Sequence, residues 1–473
     1  MTTMNRRTPS ASILLCSWPP AALVAALGCH AAQPPAKVST PAAPATQTAP
    51  AAALAEQTPA RQHFDAWLQA FNSGQRVVLL AFHEHDFPYA VATGDMRDIE
   101  REYGLSQGTG GFDVRRIEAS DSERLVVLLQ ERNSPQYARA TLLVSPAPPH
   151  AVTKFDIGPV PTPLDLLPPA EREARSLDGA KRRAALESIG RQLQAHYVSA
   201  ETAARVVVAL EKKRSRGDYD ALADAAEFAD ALSLDLRRLA RDKHLRLNFG
   251  PMPPQPNLAG GAPPRIARSG FGFGAIERLS GNVALLVING FPPLFEEQQA
   301  AIAERMSQIA DADAAIVDLR NNNGGFPPTE LRVASYFFEA EPVHLKSVYR
   351  RDADNTFEIW TEKQLRGRRF GSKKPVYILT GPHTFSGGEA LAYELQAQAR
   401  AVVVGEGTGG GAHPTQPYPV EGGFVLQVPW GQSINPITGT NWEGIGVLPD
   451  VEVPADEALE AAHHLALERL KSR

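Results

Sequence analysis

Over the second half of the chain, short wholly apolar runs alternate with amphipathic stretches. Val283-Ala-Leu-Leu-Val-Ile288, Ala314-Ala-Ile-Val-Asp-Leu319, Pro375-Val-Tyr-Ile-Leu-Thr380 and Arg400-Ala-Val-Val-Val404 have the length and β-branched content of buried strands. Residues 294–309, 328–338 and 387–398 lie between or after them and repeat apolar positions at helical spacing. The pattern predicts an α/β fold over 270–473, with a largely parallel sheet covered by helices on both faces.

Earlier segments read differently. Phe64, Trp67, Leu68 and Phe71 mark one face of a helix, and alternating runs follow at 112–117, 124–130 and 137–144. Helix first and strand meander afterwards predict an α+β unit over 61–161. Residues 168–250 carry apolar groups every three to four positions and predict a small helical bundle. A Pro/Gly linker spans 251–269, and an Ala/Pro/Thr linker with almost no charge spans 30–60. Residues 1–29 have the plan of an export signal, with Arg6-Arg7 before an apolar stretch that ends in Ala26-Leu-Gly-Cys29.

Composition narrows the function. At 473 residues the chain is too long for one ordinary core. A net charge of -5 argues against a general nucleic-acid binder. The two cysteines are Cys16 and Cys29, so everything beyond them is without disulfides, thiolate metal sites or cysteine nucleophiles. His83-Glu-His85-Asp86 has a metal-like look but no evident third ligand nearby, and is read as a solvated polar turn. No metal and no cofactor are expected.

Ser386 stands where an apolar strand gives way to a helix, so its side chain is expected at the exposed end of the sheet beside a helix N-terminus. That suits an acyl-transfer nucleophile. It equally suits a helix N-cap, because Glu389 follows at capping-box spacing.

Four stretches break the tie. Asp318-Leu-Arg-Asn-Asn-Asn-Gly-Gly325, Thr384-Phe-Ser-Gly-Gly-Glu-Ala390, Gly405-Glu-Gly-Thr-Gly-Gly-Gly411 and Gly446-Val-Leu-Pro-Asp450 stand in the order and approximate spacing of the C-terminal-processing (tail-specific) serine peptidases. The bundle resembles the N-terminal region of the branch containing interphotoreceptor retinoid-binding protein, and no segment reads as a PDZ domain. The resemblance runs from about Pro168 to Leu465. It implies a crotonase-like ββα-superhelix core, peptide or protein substrates and Ser386 as nucleophile. Residues 61–161 more loosely resemble the cone fold of nuclear transport factors and limonene epoxide hydrolases. Cys29 resembles the lipidated cysteine of a bacterial lipoprotein, which implies the cell envelope (periplasm or outer membrane) or secretion, with a lipid tether at Cys29 in the first case.

Within that resemblance the oxyanion donors are expected from the backbone of Gly387 together with Gly324 or Gly325. The base departs from the family pattern. Where Ser-Lys peptidases end the glycine-rich loop in lysine, this chain has Gly411, and the early core strand has no histidine. His413, just past the loop, is the favoured base, and His244 in Asp242-Lys-His244 is the alternative. His383 is expected to face away. Glu443 is the expected third member, orienting the imidazole. Asp318 and Arg320 are expected to tie strand ends together. A second reading is a catalytically weak or inactive peptidase fold that binds a hydrophobic ligand or peptide.

Overall fold

The computed structural model describes residues 14–15, 58–86, 97–253 and 272–472. The expected export signal apart from Leu14–Leu15, Cys29, and most of the two expected linkers lie outside them. By internal contacts the chain forms two compact units, Met1–Ala174 and Arg175–Arg473.

In the first unit, helices Pro59–Asn72, Arg76–Asp86 and Arg97–Thr109 precede an antiparallel meander. Its strands are Phe112–Ser120, Arg124–Glu131, Tyr137–Val144 and Val152–Val160, with the two-residue segment Leu14–Leu15 parallel to the last. Phe64, Trp67 and Phe71 are buried against the sheet, as the helical spacing predicts, and Leu68 packs at the edge of that core. The expected polar turn at His83 is overturned. His83 sits in the last turns of a helix, fully buried, with Nε2 2.7 Å from Glu102 Oε2. Trp67 Nε1 donates to the other oxygen of Glu102. Burial, not solvent, accounts for this histidine.

The second unit is α/β, in agreement with the sequence pattern. Its main sheet has six strands, with Val451–Glu452, Val402–Gly405, Val376–Thr380, Ala314–Asp318 and Val283–Ile288 parallel, and Phe273–Leu279 antiparallel at the edge. Alternate residues of one strand feed opposite cores. Val376 and Ile378 join the side holding helices Glu296–Ile309, Pro327–Ser335 and Gly387–Ala397. Tyr377 and Leu379 pack against Ala458, Ala462 and Ala466 of the C-terminal helix Ala458–Lys471. Both faces are therefore covered, which is why these strands read as unbroken apolar runs.

The helical bundle is joined to this core by β pairing. Helices Gly179–His196, Ala200–Ser215 and Ala225–Ala240 are followed by strand Arg246–Phe249. That strand pairs antiparallel with Phe424–Pro429, which pairs in turn with Thr415–Val420. Leu245 and Leu247 enter the same buried cluster as Phe228, Leu232, Phe424 and Leu426. The loop holding Asp242 and His244 is thereby held beside the glycine-rich loop.

Candidate active site

Ser386 is the residue that ends the turn after strand Val376–Thr380 and precedes helix Gly387–Ala397. Its backbone stands at φ 51°, ψ -116°, a conformation that costs a non-glycine residue about 1–3 kcal/mol and clusters at functional sites. Glu389 accepts the Ser386 N–H at 2.8 Å, which is the carboxylate half of the expected capping box. The serine hydroxyl lies 3.1 Å from His244 Nε2.

Glu389 does more than cap. Its buried carboxylate also accepts the N–H groups of Gly410 (2.6 Å) and Gly411 (2.8 Å) and the hydroxyl of Thr408. It ties the glycine-rich loop to the turn carrying Ser386. Burial raises its pKa, against the pull of those hydrogen bonds. The capping-box spacing was the visible trace of this hub in the sequence.

Of the two histidines weighed as base, the structure brings His244 to Ser386. His413, the favoured one, is engaged elsewhere: its Nδ1 lies 2.9 Å from Asp242 Oδ2. Asp242 Oδ2 also accepts the Tyr197 hydroxyl at 3.0 Å, and Oδ1 accepts the His244 backbone N–H at 2.9 Å. Sequence reasoning passed over Asp242 and Tyr197 as participants. Glu443 Oε2 accepts the N–H groups of Ala412 (2.6 Å) and His413 (3.3 Å) and lies 3.6 Å from His413 Nδ1. His383 is exposed.

The electrostatics separate the two imidazoles. Burial pushes His244 down to about 4, so it is neutral near pH 7 and able to accept a proton at Nε2. Burial would also lower His413, but the hydrogen bond to Asp242 and the charges of Glu443 and Asp242 hold it above the ordinary value. Asp242, which burial alone would raise, is kept below the usual carboxylate range by His413 and His244. Burial and the charge of Asp242 push Glu443 up to about 7.

The Asn322–Gly325 loop lies against the nucleophile. Gly324 has φ +95°, and a Cβ there would fall 2.7 Å from both Ser386 Cβ and Gly387 N, so only glycine permits the approach. The Gly324 N–H donates to Asn322 Oδ1 at 2.8 Å. It is thus already spent, which leaves the amides of Gly325 and Gly387 as the oxyanion candidates. Gly387 opens its helix, where amides have no intrahelical acceptor. Asp318 pairs with Arg320, which donates to Ala455 O at 2.7 Å and so ties the sheet end to the chain beyond it.

Beside Ser386 opens a cavity of about 190 Å³ lined by Val348, Phe357, Ile359, Ala390, Trp430 and Trp442. Glu330 and Lys346 also line it. The Lys346 ammonium bonds both Glu330 (3.2 Å) and Glu394. Two buried carboxyls share one cation, and burial and the charge of Glu394 push Glu330 up to about 8.

Comparison with known proteins agrees with this architecture. Residues 282–453 match Peptidase family S41, and residues 179–269 match the N-terminal domain of Peptidase_S41 in eukaryotic IRBP. The two matches together span more than half of the chain. The chain is 26% identical over 161 residues to carboxyl-terminal-processing peptidase 2, chloroplastic, of Arabidopsis thaliana, covering 34% of this chain and 30% of that protein. It is 28% identical over 149 residues to a carboxyl-terminal-processing protease of Picosynechococcus, covering 32% and 34% respectively. The matched part is therefore about a third of each relative's length. A putative peptidase structure from Parabacteroides merdae aligns over 61% of this chain and 97% of its own, at 18% identity and TM-score 0.44. On the two family matches, the chain belongs to peptidase family S41.

Proposed function

We propose that the protein is a serine endopeptidase in which Ser386 attacks a peptide carbonyl and His244 is the general base. The observation that carries this reading is the 3.1 Å separation of Ser386 Oγ and His244 Nε2, between a strained serine and a neutral imidazole. Ser386 Oγ adds to the carbonyl carbon as its proton passes to Nε2. The N–H groups of Gly387 and Gly325 receive the developing oxyanion. His244 then returns the proton to the departing amine, and water, activated by the same ring, releases the acyl group.

For Nε2 to accept, the single proton of the neutral ring must sit on Nδ1. Asp242 Oδ1 lies 3.9 Å from that nitrogen, and a carboxylate oxygen of Glu443 lies within 4.8 Å of a ring nitrogen of His244. Glu443 keeps its role as the orienting third member, with Asp242 beside it and His413 and Tyr197 holding Asp242 in place. The apolar cavity takes the side chain on the acyl side of the scissile bond.

Substrates are peptides or carboxyl-terminal segments of proteins, the activity named for the two relatives. Residues 1–29 direct export to the cell envelope, with Cys29 as the lipid-tether candidate. The decisive test is labelling with a fluorophosphonate probe, alongside hydrolysis of a peptide library. Wild type should label, and Ser386→Ala and His244→Ala should not. An unlabelled wild type that still binds peptides or apolar ligands would favour the non-catalytic reading instead.

A further inference from the structure

We propose that Asp242, His244 and Glu443 form a binding site for a zinc-type divalent cation, and that occupancy switches the peptidase off. A ring nitrogen of His244 and one carboxylate oxygen from each of Asp242 and Glu443 lie within 4.8 Å of one another. His244 Nδ1 is buried with no hydrogen-bond partner in a side chain only 10% exposed, and Glu443 Oε1 likewise has no partner in a side chain 16% exposed. A cluster of polar groups that satisfied itself would not leave an imidazole nitrogen and a carboxylate oxygen both orphaned at one place.

The three groups are already held. Glu443 is fixed through its other oxygen by the amides of Ala412 and His413, and Asp242 by Tyr197 and His413. Such outer partners are what orient ligands around a metal. One imidazole and two carboxylates suit Zn²⁺, which binds nitrogen and oxygen at about 2.0–2.2 Å and leaves a fourth position for water. Hard cations such as Mg²⁺ and Ca²⁺ favour all-oxygen sets. Ligand atoms around tetrahedral zinc stand about 3.4 Å apart, so the 3.9 Å between His244 Nδ1 and Asp242 Oδ1, and separations of up to 4.8 Å across the three groups, must close as the ion binds.

The switch follows from the tautomer. A cation at Nδ1 uses that nitrogen's lone pair, so the single ring proton moves to Nε2. Nε2 then donates to Ser386 Oγ and can no longer take its proton. One nitrogen thus carries either a proton, with the base competent, or a metal ion, with the base blocked. Binding rests on geometry alone; inhibition rests in addition on His244 being the base.

The test separates the two. Full-length Ser386→Ala protein is titrated with Co²⁺, and the visible bands of a tetrahedral ion are followed, with Zn²⁺ affinity read by competition. One ion per chain should bind, weakened about tenfold or more when Glu443→Gln or His244→Asn is added. Circular dichroism and a melt confirm that these variants are folded. In parallel, Zn²⁺ should inhibit fluorophosphonate labelling of the wild type, and EDTA should restore it. Absence of the bands, or bands of unchanged strength in both ligand variants, overturns the site. Tight binding with undiminished labelling overturns the switch. An enzyme that never labels overturns the switch, and the binding result then stands or falls by itself.

Discussion

A Cβ placed on Gly411 would fall 2.7 Å from Cε1 of His244 and within 2.5 Å of the Phe385 ring. The position that holds lysine in Ser-Lys relatives is therefore empty of side chain because an imidazole and a phenyl ring fill the space. Loss of the lysine and the approach of His244 are one structural fact. Gly411→Lys should accordingly not create a Ser-Lys dyad. It should displace His244 and reduce kcat/KM about a hundredfold or more, with Gly411→Ala impaired in the same direction. Peptide hydrolysis and probe labelling measure both, and a Gly411→Lys enzyme of wild-type rate would refute the steric argument.

The pH profile should separate His244 from Glu443. Glu443 lies near 7 and His244 near 4, each moved chiefly by burial. With an ionised Glu443 and a neutral His244 required, kcat/KM should rise through about pH 7 in the wild type. Glu443→Gln should lower the plateau and remove that limb, so that the remaining acid limb falls toward pH 4. An unmoved limb in Glu443→Gln would take the orienting role away from it.

His413 should reveal itself in stability rather than in the chemical step. Its folded pKa is raised above the ordinary 6.5. Its stabilisation is therefore complete below pH 6.5 and is lost as pH climbs through the folded value. His413→Gln in the Ser386→Ala background should be less stable by about 3–5 kcal/mol at pH 6, because buried Asp242 loses its partner. The gap should narrow at alkaline pH. Thermal melts at several pH values check this, and a gap that widens with pH would contradict it.

Glu389 supports four donors at once, from Ser386, Thr408, Gly410 and Gly411. Glu389→Ala leaves buried amides unpaired at about 1–3 kcal/mol each. It should lower the melting temperature and abolish probe labelling, because the turn at Ser386 is no longer pinned to the loop. Glu389→Gln, which keeps an acceptor oxygen, should retain part of both. Equal behaviour of the two variants would mean that shape, not hydrogen bonding, is what this side chain supplies.

By itself the sequence determined the α/β character of residues 270–473, the seat of Ser386 and the glycine loops around it. These depend on local periodicity and on residue types that tight backbone demands, and both are written in adjacent positions. The base was not legible in that way. His413 is near the glycine loop in sequence, whereas His244 reaches Ser386 from 142 residues away because strand Arg246–Phe249 pairs with Phe424–Pro429. Nothing in the spacing of apolar residues announces which distant strands pair or in what register. Burial likewise turned His83 from an expected surface turn into a core group bonded to Glu102, and it lowers His244 while the carboxylates Asp242 and Glu443 raise His413 against it. Those outcomes depend on what tertiary packing places within a few ångströms, and only the folded chain decides that.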